Sequence, residues 1–400
     1  MSAATFLRRG SLPAALGSLV SLAAQALMAL FLLGLFEPQA VGVFSLIAQT
    51  AFGWATLALA QSPVSLLANQ HLPPLPAARR ALRMSLRRWG WLLPAATLAL
   101  GWSGQPVAGL ASTMAWTAAI ALTQMGWLMA QSLTLRIHSP LSIALVRLLP
   151  PMLAALLVAV GAVWLERRDS STLAAAALAG YAAGALWLVP VARAQDTDAA
   201  SAVAPGAGDP RSERLKFIHT LSDVLVSTAL AAHWSLVYGA AQAGCLLILL
   251  RVMGFVPALV SSAWAQVVMS RPEAQRPSSW LAALTGAGCV AVAALMVRLA
   301  LHAGWLAPSW SSLGLYVWPL ALWQAAACLI AAASHRPFRH GRARAYTLQC
   351  IAMNGVQALL LVLPPWLGWG QQSHLWALAG FLCIALSLQA LWSARLPSST

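Results

Sequence analysis

The sequence contains few charged residues for its length, and acidic residues are the scarcest. Its 400 residues include 24 lysines and arginines and only 9 aspartates and glutamates, so that 8% are charged, against about 25% in a soluble domain. Hydrophobic residues make up 60% of the chain, and the mean hydropathy is +0.74. So few charges cannot cover a water-exposed surface of this size, and disordered chains are poor in apolar residues. The composition therefore predicts an all-α, polytopic membrane protein.

Motifs for nucleotide, metal and disulfide chemistry are missing from the sequence. Lys216 is the only lysine, and it follows Leu215 rather than a glycine-rich loop, which excludes a P-loop ATP site. The five cysteines do not pair at CxxC spacing, and no HExxH motif occurs, so neither a disulfide framework nor a zinc site is indicated. We expect no cofactor and no bound metal.

Long uncharged runs supply the membrane spans, each of which needs about 20 mostly apolar residues. The runs 89–135 and 345–394 each hold two spans, with turn residues between them. The segmentation gives twelve spans at roughly 11–35, 41–66, 89–103, 108–132, 141–165, 172–192, 217–237, 241–268, 280–303, 313–334, 345–364 and 374–393. The stretches 67–88 and 194–215 are the longest polar ones, and neither is large enough to fold into a domain of its own.

The basic residues define an orientation for these spans. If both termini lie in the cytoplasm, the cytoplasmic segments hold 19 of the 24 basic residues and the outer loops hold only Arg167 and Arg168. This bias predicts a membrane protein with cytoplasmic N- and C-termini. The net charge of +15 is then directed at anionic phospholipid headgroups, and it requires no nucleic acid.

The chain divides into two halves of six spans. A linker rich in Ala, Asp, Gly and Pro at 195–215 separates an N-terminal lobe, 1–194, from a C-terminal lobe, 216–400. The segments 39–46 and 242–249 align Gly42 with Gly244, each at the start of the second span of its half. An even number of spans lies between them, which indicates a parallel repeat. We therefore predict about 12 transmembrane helices in two parallel six-helix bundles around a central cavity.

Ionisable residues inside the spans are the candidate functional residues, because such groups are costly in a membrane. Arg251 lies about 11 residues, or roughly 16 Å, into the eighth span, near the middle of a hydrocarbon core of about 30 Å. Asp223 is the only acidic residue inside a predicted span, and an ion pair with Arg251 is geometrically possible. The pair would be either structural or a switch that the substrate breaks. Arg147 and Arg298 lie within reach of a membrane interface.

Three short segments resemble polysaccharide flippases. The segment 243–257 is similar to the eighth span of that family, which has a glycine at the span start, an arginine in mid-span and a proline about six residues later; here these are Gly244, Arg251 and Pro257. Two further segments resemble the family's first hairpin with its second span and the link before its fifth span; these are 37–46 and 131–136.

The resemblance implies a flippase of the multidrug/oligosaccharidyl-lipid/polysaccharide exporter (MOP) superfamily, located in a bacterial inner membrane. Such proteins move a polyprenyl-diphosphate-linked oligosaccharide, the repeat unit of O-antigen or exopolysaccharide, to the outer leaflet by alternating access. Arg251, with Arg147 and Arg298, would bind the diphosphate, because a cation offsets the cost of removing an anion from water. The implied partners are the lipid-linked oligosaccharide, the phospholipid bilayer and other polysaccharide-assembly membrane proteins.

Two other functions remain open. A multidrug or small-molecule antiporter of the same superfamily would favour acidic cation-coupling residues in the spans, where the sequence offers only Asp223. A membrane-embedded polysaccharide polymerase or ligase usually carries a large outer loop with catalytic charges, but the outer loops here are short and only 166–169 is charged. We therefore expect a transporter rather than an enzyme.

Overall fold

The computed structural model describes residues 24–60, 62–68, 72–104, 107–137, 140–193, 210–270 and 278–396. Every regular element within these ranges is a helix, as the composition predicts. The chain forms two compact units, Met1–Ala232 and His233–Thr400. The boundary between them falls inside a helix, and each unit is described by itself below.

The first unit contains nine helices and most of a tenth. They are α1 (Ala24–Leu35), α2 (Pro38–Leu59), α3 (Ser62–Ala68), α4 (Pro74–Trp91), α5 (Leu93–Trp102), α6 (Val107–Ile137), α7 (Pro140–Val163), α8 (Ser170–Ala185), α9 (Val189–Arg193) and α10 (Pro210–Tyr238), of which the last six residues belong to the second unit.

The second unit is built from the end of α10 and six further helices. They are α11 (Ala240–Ser270), α12 (Ser279–His302), α13 (Leu313–Ala333), α14 (Arg336–Arg339), α15 (Ala343–Trp366) and α16 (Gln371–Ala394). A single residue, Gly239, joins α10 to α11, and its φ of +86° is one that residues with a side chain rarely adopt. Within the unit, α13 packs against α11, α12 and α16.

Each of the twelve predicted spans overlaps at least one helix among the described residues. Nine helices among the described residues are long and apolar enough to cross a membrane. The other three predicted spans correspond to α1, which is described only from Ala24, to α5, which has 10 residues, and to α6. The prediction of an all-helical polytopic membrane protein is thus confirmed.

The helix that leads into the third span begins earlier than the sequence indicates. The predicted span covers 89–103 and treats 67–88 as a polar connection, whereas the structure has a helix, α4, from Pro74 that continues through Leu92 into α5. The buried side chains of α4 are Ala78, Ala81 and Ser85, whose spacing of three and four residues places them on one helix face. A hydropathy average cannot detect this helix, because its other positions carry five arginines.

Small side chains and one tryptophan pair hold α4 against α2 and α6. Ala58 of α2, Ala78 of α4 and Ala130 of α6 share one buried cluster, and small residues allow membrane helices to approach closely. The rings of Trp54 and Trp89 stack with centroids 4.8 Å apart, and Trp54 Nε1 donates a hydrogen bond of 2.8 Å to the Trp89 carbonyl. The packing orients the cationic segment of α4 relative to the apolar spans.

The two halves share details of local structure. Gly42 is the fifth residue of α2 and Gly244 is the fifth residue of α11, and both are buried. Arg136, in the last turn of α6, donates hydrogen bonds to the carbonyls of Leu66 and Leu72 at 3.1 and 2.6 Å. Arg336, just after α13, donates to the carbonyls of Ala394 and Leu396 at 2.7 and 3.4 Å. Helices α6 and α13 hold the fourth span of each predicted half, so each half has an arginine near the end of this span that binds backbone carbonyls of another segment.

The predicted division at 1–194, 195–215 and 216–400 stays a prediction. Most of the linker, 195–209, lies outside the described residues. Residues 210–215 belong to α10.

Candidate substrate-binding site

Arg147 lies half-buried in α7, just before a double proline, Pro150 and Pro151. Proline has no N–H, so Pro150 cannot donate to the carbonyl of Val146, and Pro151 cannot donate to that of Arg147. The indole Nε1 of Trp127 on α6 donates to the Val146 carbonyl at 2.7 Å. This hydrogen bond stabilises the interrupted helix beside the arginine.

Two glycines of α8 allow that helix to approach the interruption. A Cβ at Gly180 would lie 2.5 Å from the Pro150 carbonyl oxygen, and one at Gly184 would lie 2.7 Å from Pro150 Cγ and overlap the Trp127 ring. The ring of Tyr181 lies beside Trp127, with centroids 5.2 Å apart. Arg147 is therefore carried by a tightly packed group of α6, α7 and α8.

Asp223 lies on α10 within the first unit and is half exposed. Its Oδ2 is 3.4 Å from Nδ1 of His219, one helical turn earlier. Farther along α10, Val224 and Thr228 face Gly53 of α2 so closely that an added Cβ there would lie 2.8 and 3.0 Å from them. Since Arg251 belongs to the second unit, the ion pair predicted between Asp223 and Arg251 stays a prediction.

Arg251 lies half-buried on α11, six residues before Pro257. Gly254, three residues farther on, presents its backbone to α13, where a Cβ would lie 3.5 Å from Oε1 of Gln324. Residues three apart share a helix face, so Arg251 lies on the side of α11 that meets α13. Gln324 is buried, and its amide adds a neutral polar group to that interface.

Arg298, the third predicted ligand, is exposed near the end of α12. Its guanidinium lies over the second residue of α13, where a Cβ on Gly314 would be 2.9 Å from Nη1. A long side chain that bends toward a helix end in this manner is typical of arginine near a membrane interface. Its predicted role in substrate binding stays a prediction.

A buried polar network joins the ends of four helices in the second unit. Tyr316 of α13 accepts a hydrogen bond of 3.1 Å from Trp234 Nε1 of α10 and donates one of 3.1 Å to Gln242 Oε1 of α11. Gln371 of α16 donates to both Gln242 and Tyr316. Helix α16 also carries His374, whose Nδ1 is 2.9 Å from the hydroxyl of Tyr238, the last residue of α10.

Sequence reasoning missed this network and also the position of Gln324. The residues Trp234, Gln242, Tyr316 and His374 are far apart in the chain and match no motif. In the sequence they share only one feature, which is a polar or aromatic side chain near the end of an apolar run. The enrichment of such residues at membrane–water interfaces explains that feature equally well. Only the tertiary packing of α10, α11, α13 and α16 distinguishes the two cases.

The side chains available for chemistry are cations, amides and aromatics. Within the described ranges, no three His, Cys, Asp or Glu residues lie close enough together to hold a metal ion. Arg147 and Arg251 can bind anionic groups, and Gln324 can exchange hydrogen bonds with hydroxyls or carbonyls. Such groups are suited to binding polar parts of a substrate.

No family model and no curated protein sequence matches the chain. Among solved structures it resembles an inward-facing multidrug resistance MATE family transporter of the MOP superfamily, with a TM-score of 0.61 and 12% identity over 94% of both chains. It also resembles a MOP superfamily transporter from Pyrococcus furiosus, whose reverse polarity of the binding pocket suggests a different function. That match has a TM-score of 0.52 and 13% identity over 97% of this chain and 94% of the other.

An outward-facing MATE family transporter of the MOP superfamily matches with a TM-score of 0.50 and 13% identity over 97% of this chain and 94% of the other. At these identities the likeness concerns the fold. The chain therefore has the fold of the MATE transporters of the MOP superfamily, a multi-pass membrane transporter fold.

Proposed function

We propose that the chain is a secondary transporter that exports amphiphilic small molecules across a bacterial inner membrane by alternating access. The observation that carries this proposal is the likeness of 94% of the chain to a multidrug resistance transporter at a TM-score of 0.61. The spans also fit a transporter in composition, since they combine an apolar exterior with a few buried amides and half-buried arginines.

The preferred substrates are neutral or anionic. Arg147 and Arg251 are half-buried cations in the two units, whereas Asp223 is the only acidic residue of the described predicted spans, and it is half exposed. Cationic drugs would meet unfavourable charges beside these arginines, and an anionic group would gain charge-assisted hydrogen bonds. The neighbour from Pyrococcus furiosus, with its reverse polarity of the binding pocket, is an example of such a change within one fold.

A second candidate is a flippase for polyprenyl-diphosphate-linked oligosaccharides, with the other polysaccharide-assembly membrane proteins as its partners. It is favoured by the same two arginines, since a diphosphate is the most anionic group such a protein would carry, and by Arg251 and Pro257 in the segment that resembles the flippases. Arg298, near the end of α12, would bind the diphosphate at a different depth from Arg251.

Energy for either process would come from an ion gradient or the membrane potential. Asp223 is the acidic residue of the described predicted spans, and its carboxylate lies 3.4 Å from His219 on α10. We assign the coupling role to Asp223, which then needs no direct contact with the substrate.

The test compares substrates and variants in proteoliposomes. Uptake of an anionic fluorescent amphiphile, a matched cationic one and a short-chain polyprenyl-diphosphate glycan would be measured for the unaltered chain and for Arg147→Gln and Arg251→Gln. Arg395→Gln, at an exposed position after α16, is the matched control. We expect the anionic amphiphile to be transported and both span variants to lose about tenfold, a loss that corresponds to about 1.4 kcal/mol.

Transport of the glycan with no transport of the small amphiphile would replace the first candidate with the second. Transport of the cationic amphiphile alone, unaffected by either substitution, would refute the assignment of substrate charge. Transport of none of the three would refute both candidates.

A further inference from the structure

A cavity of about 440 Å³ lies between α15 and α16 in the second unit. It is separate from Arg251 and from the polar network, and nine described residues line it. Its volume falls within the roughly 300–1,000 Å³ that small-molecule sites occupy. Seven of the nine lining residues are apolar, and the other two are Gln349 and Gln389.

The two amides lie at one end of the cavity. Gln389 Nε2 on α16 donates a hydrogen bond of 3.2 Å to Cys350 Sγ on α15, so Gln389 faces the turn of α15 that carries Gln349. From there the cavity extends to Val356 on α15 and Phe381 on α16. These residues lie seven and eight positions away, or roughly 10–12 Å along the helices.

The chemistry of the lining selects one kind of occupant. Gln349 and Gln389 line the cavity, and an amide side chain both donates and accepts hydrogen bonds. None of the nine lining residues carries a charge, so a charged headgroup would have no counter-ion there. The apolar end, formed by Val356, Phe381 and Ala385, fits an alkyl chain.

We propose that this cavity binds an amphiphile with a single alkyl chain and a neutral, hydroxyl-rich headgroup. The alkyl chain lies between Val356 and Phe381, and the headgroup exchanges hydrogen bonds with Gln349 and Gln389. Such a site deepens the proposed export of amphiphiles, on which it rests, by naming the chemical class that it takes. Since α15 and α16 are both membrane-spanning in length and composition, a molecule of this class reaches the cavity from the bilayer.

The test uses the full chain in phospholipid nanodiscs and decyl maltoside with a diazirine at the end of its alkyl chain. After irradiation, labelled peptides are mapped by mass spectrometry. We expect the label on 352–356 and 381–385. A label spread evenly over outward positions such as Leu359 and Leu391, which are 57% and 42% exposed, would overturn the proposal, because it would show only contact with the bilayer.

Variants that fill the cavity provide the second arm. Ala385→Phe fills it from α16 and Ala352→Phe fills it from α15, so that one remains informative if the other does not fold. Each should reduce labelling about tenfold, since the buried alkyl contact is lost. Ile384→Phe adds the same ring at the neighbouring exposed position and should leave labelling unchanged. Full labelling of both cavity variants would overturn the proposal.

Headgroup preference is tested by competition. Unlabelled decyl maltoside should compete better than decyl trimethylammonium, and Gln389→Leu should abolish that preference while the alkyl chain still labels the same peptides. Equal competition by the two compounds on the unaltered chain would overturn the headgroup assignment. If labelling is as expected but no transport occurs in proteoliposomes, the proposed function is wrong and the binding site is supported. If transport occurs without labelling, the proposed binding site is wrong.

Discussion

Trp127 Nε1 donates a hydrogen bond of 2.7 Å to the carbonyl oxygen of Val146, the backbone acceptor that Pro150 leaves without its helical donor. Arg147 is the next residue along α7. An indole from a neighbouring helix thus supplies the missing donor directly beside a candidate substrate-binding residue of the first unit.

Replacing Trp127 with Phe should destabilise the first unit. The ring is largely retained, but a buried carbonyl loses its donor, which costs about 1–3 kcal/mol. Thermal unfolding of the purified protein should show a lower midpoint temperature. Trp91→Phe is the control, because Trp91 is 86% exposed and should tolerate the change. Equal midpoints for the two variants would show that the hydrogen bond has no structural weight.

Replacing Gly184 with Ala should also destabilise the packing of α6, α7 and α8. The added Cβ would overlap the Trp127 ring and lie 2.7 Å from Pro150 Cγ, and overpacking of this kind costs about 1–3 kcal/mol. Gly355→Ala is the matched control, since a Cβ there meets nothing within 4 Å. The same unfolding measurement applies, and a Gly184→Ala midpoint at or above that of Gly355→Ala would contradict the close approach.

Asp169 should give the start of α8 a pH dependence. Its Oδ1 accepts hydrogen bonds from the Thr172 hydroxyl at 2.7 Å and the Thr172 N–H at 2.8 Å, and these hold the pKa of the carboxyl below its ordinary value. A lowered pKa means that the stabilisation is complete above the ordinary pKa and is lost as the pH falls through the lowered one. Asp169→Ala should cost about 1 kcal/mol at neutral pH.

The control for Asp169 is Asp169→Asn, which keeps a capping oxygen but cannot titrate. Protection of the Thr172 amide against hydrogen exchange, corrected for the intrinsic exchange rate at each pH, should fall at low pH in the unaltered chain and stay constant in the Asn variant. Parallel profiles for the two proteins would show that the cap acts without its charge.

The contact of Tyr238 with His374 should anchor the turn between α10 and α11. Their side chains are 2.9 Å apart, and Tyr238 directly precedes Gly239, the turn residue. A double-mutant cycle of Tyr238→Phe and His374→Gln should give a coupling free energy of about 1 kcal/mol. A cycle of Tyr346→Phe and His374→Gln should give none, because the Tyr346 ring packs on Phe338 instead. Equal coupling free energies in the two cycles would show that the contact of Tyr238 with His374 does not stabilise the turn.

Residue periodicity and charge placement predict most of the fold. Apolar runs locate all twelve spans, and Gly42 and Gly244 take the same position in their helices. The start of α4 could not be predicted from hydropathy. This helix packs through small residues such as Ala78 and Ala81, so its average hydropathy does not distinguish it from a polar loop. Whether α4 is a connection or a helix is decided by its contacts with α2 and α6, which are tertiary.

The candidate site is less accessible from sequence. Isolated charges in apolar runs identify Arg147 and Arg251, because charges in a membrane are rare enough to be informative. Glutamines are not rare in this way, so Gln324 beside Gly254 and Gln389 beside Cys350 become candidates only when the distances are known. The depth of a residue in a span also does not show which way its side chain points. The guanidinium of Arg298, for example, lies over Gly314 at the start of α13.

The central claim is that this chain transports amphiphiles with neutral or anionic headgroups. The most direct measurement is uptake of an anionic fluorescent amphiphile by proteoliposomes that contain only this protein, with an imposed ion gradient. We expect gradient-dependent uptake that falls about tenfold in Arg251→Gln, the equivalent of about 1.4 kcal/mol, and is unchanged in Arg395→Gln. Uptake no faster than in protein-free liposomes, with correctly folded protein present, would contradict it.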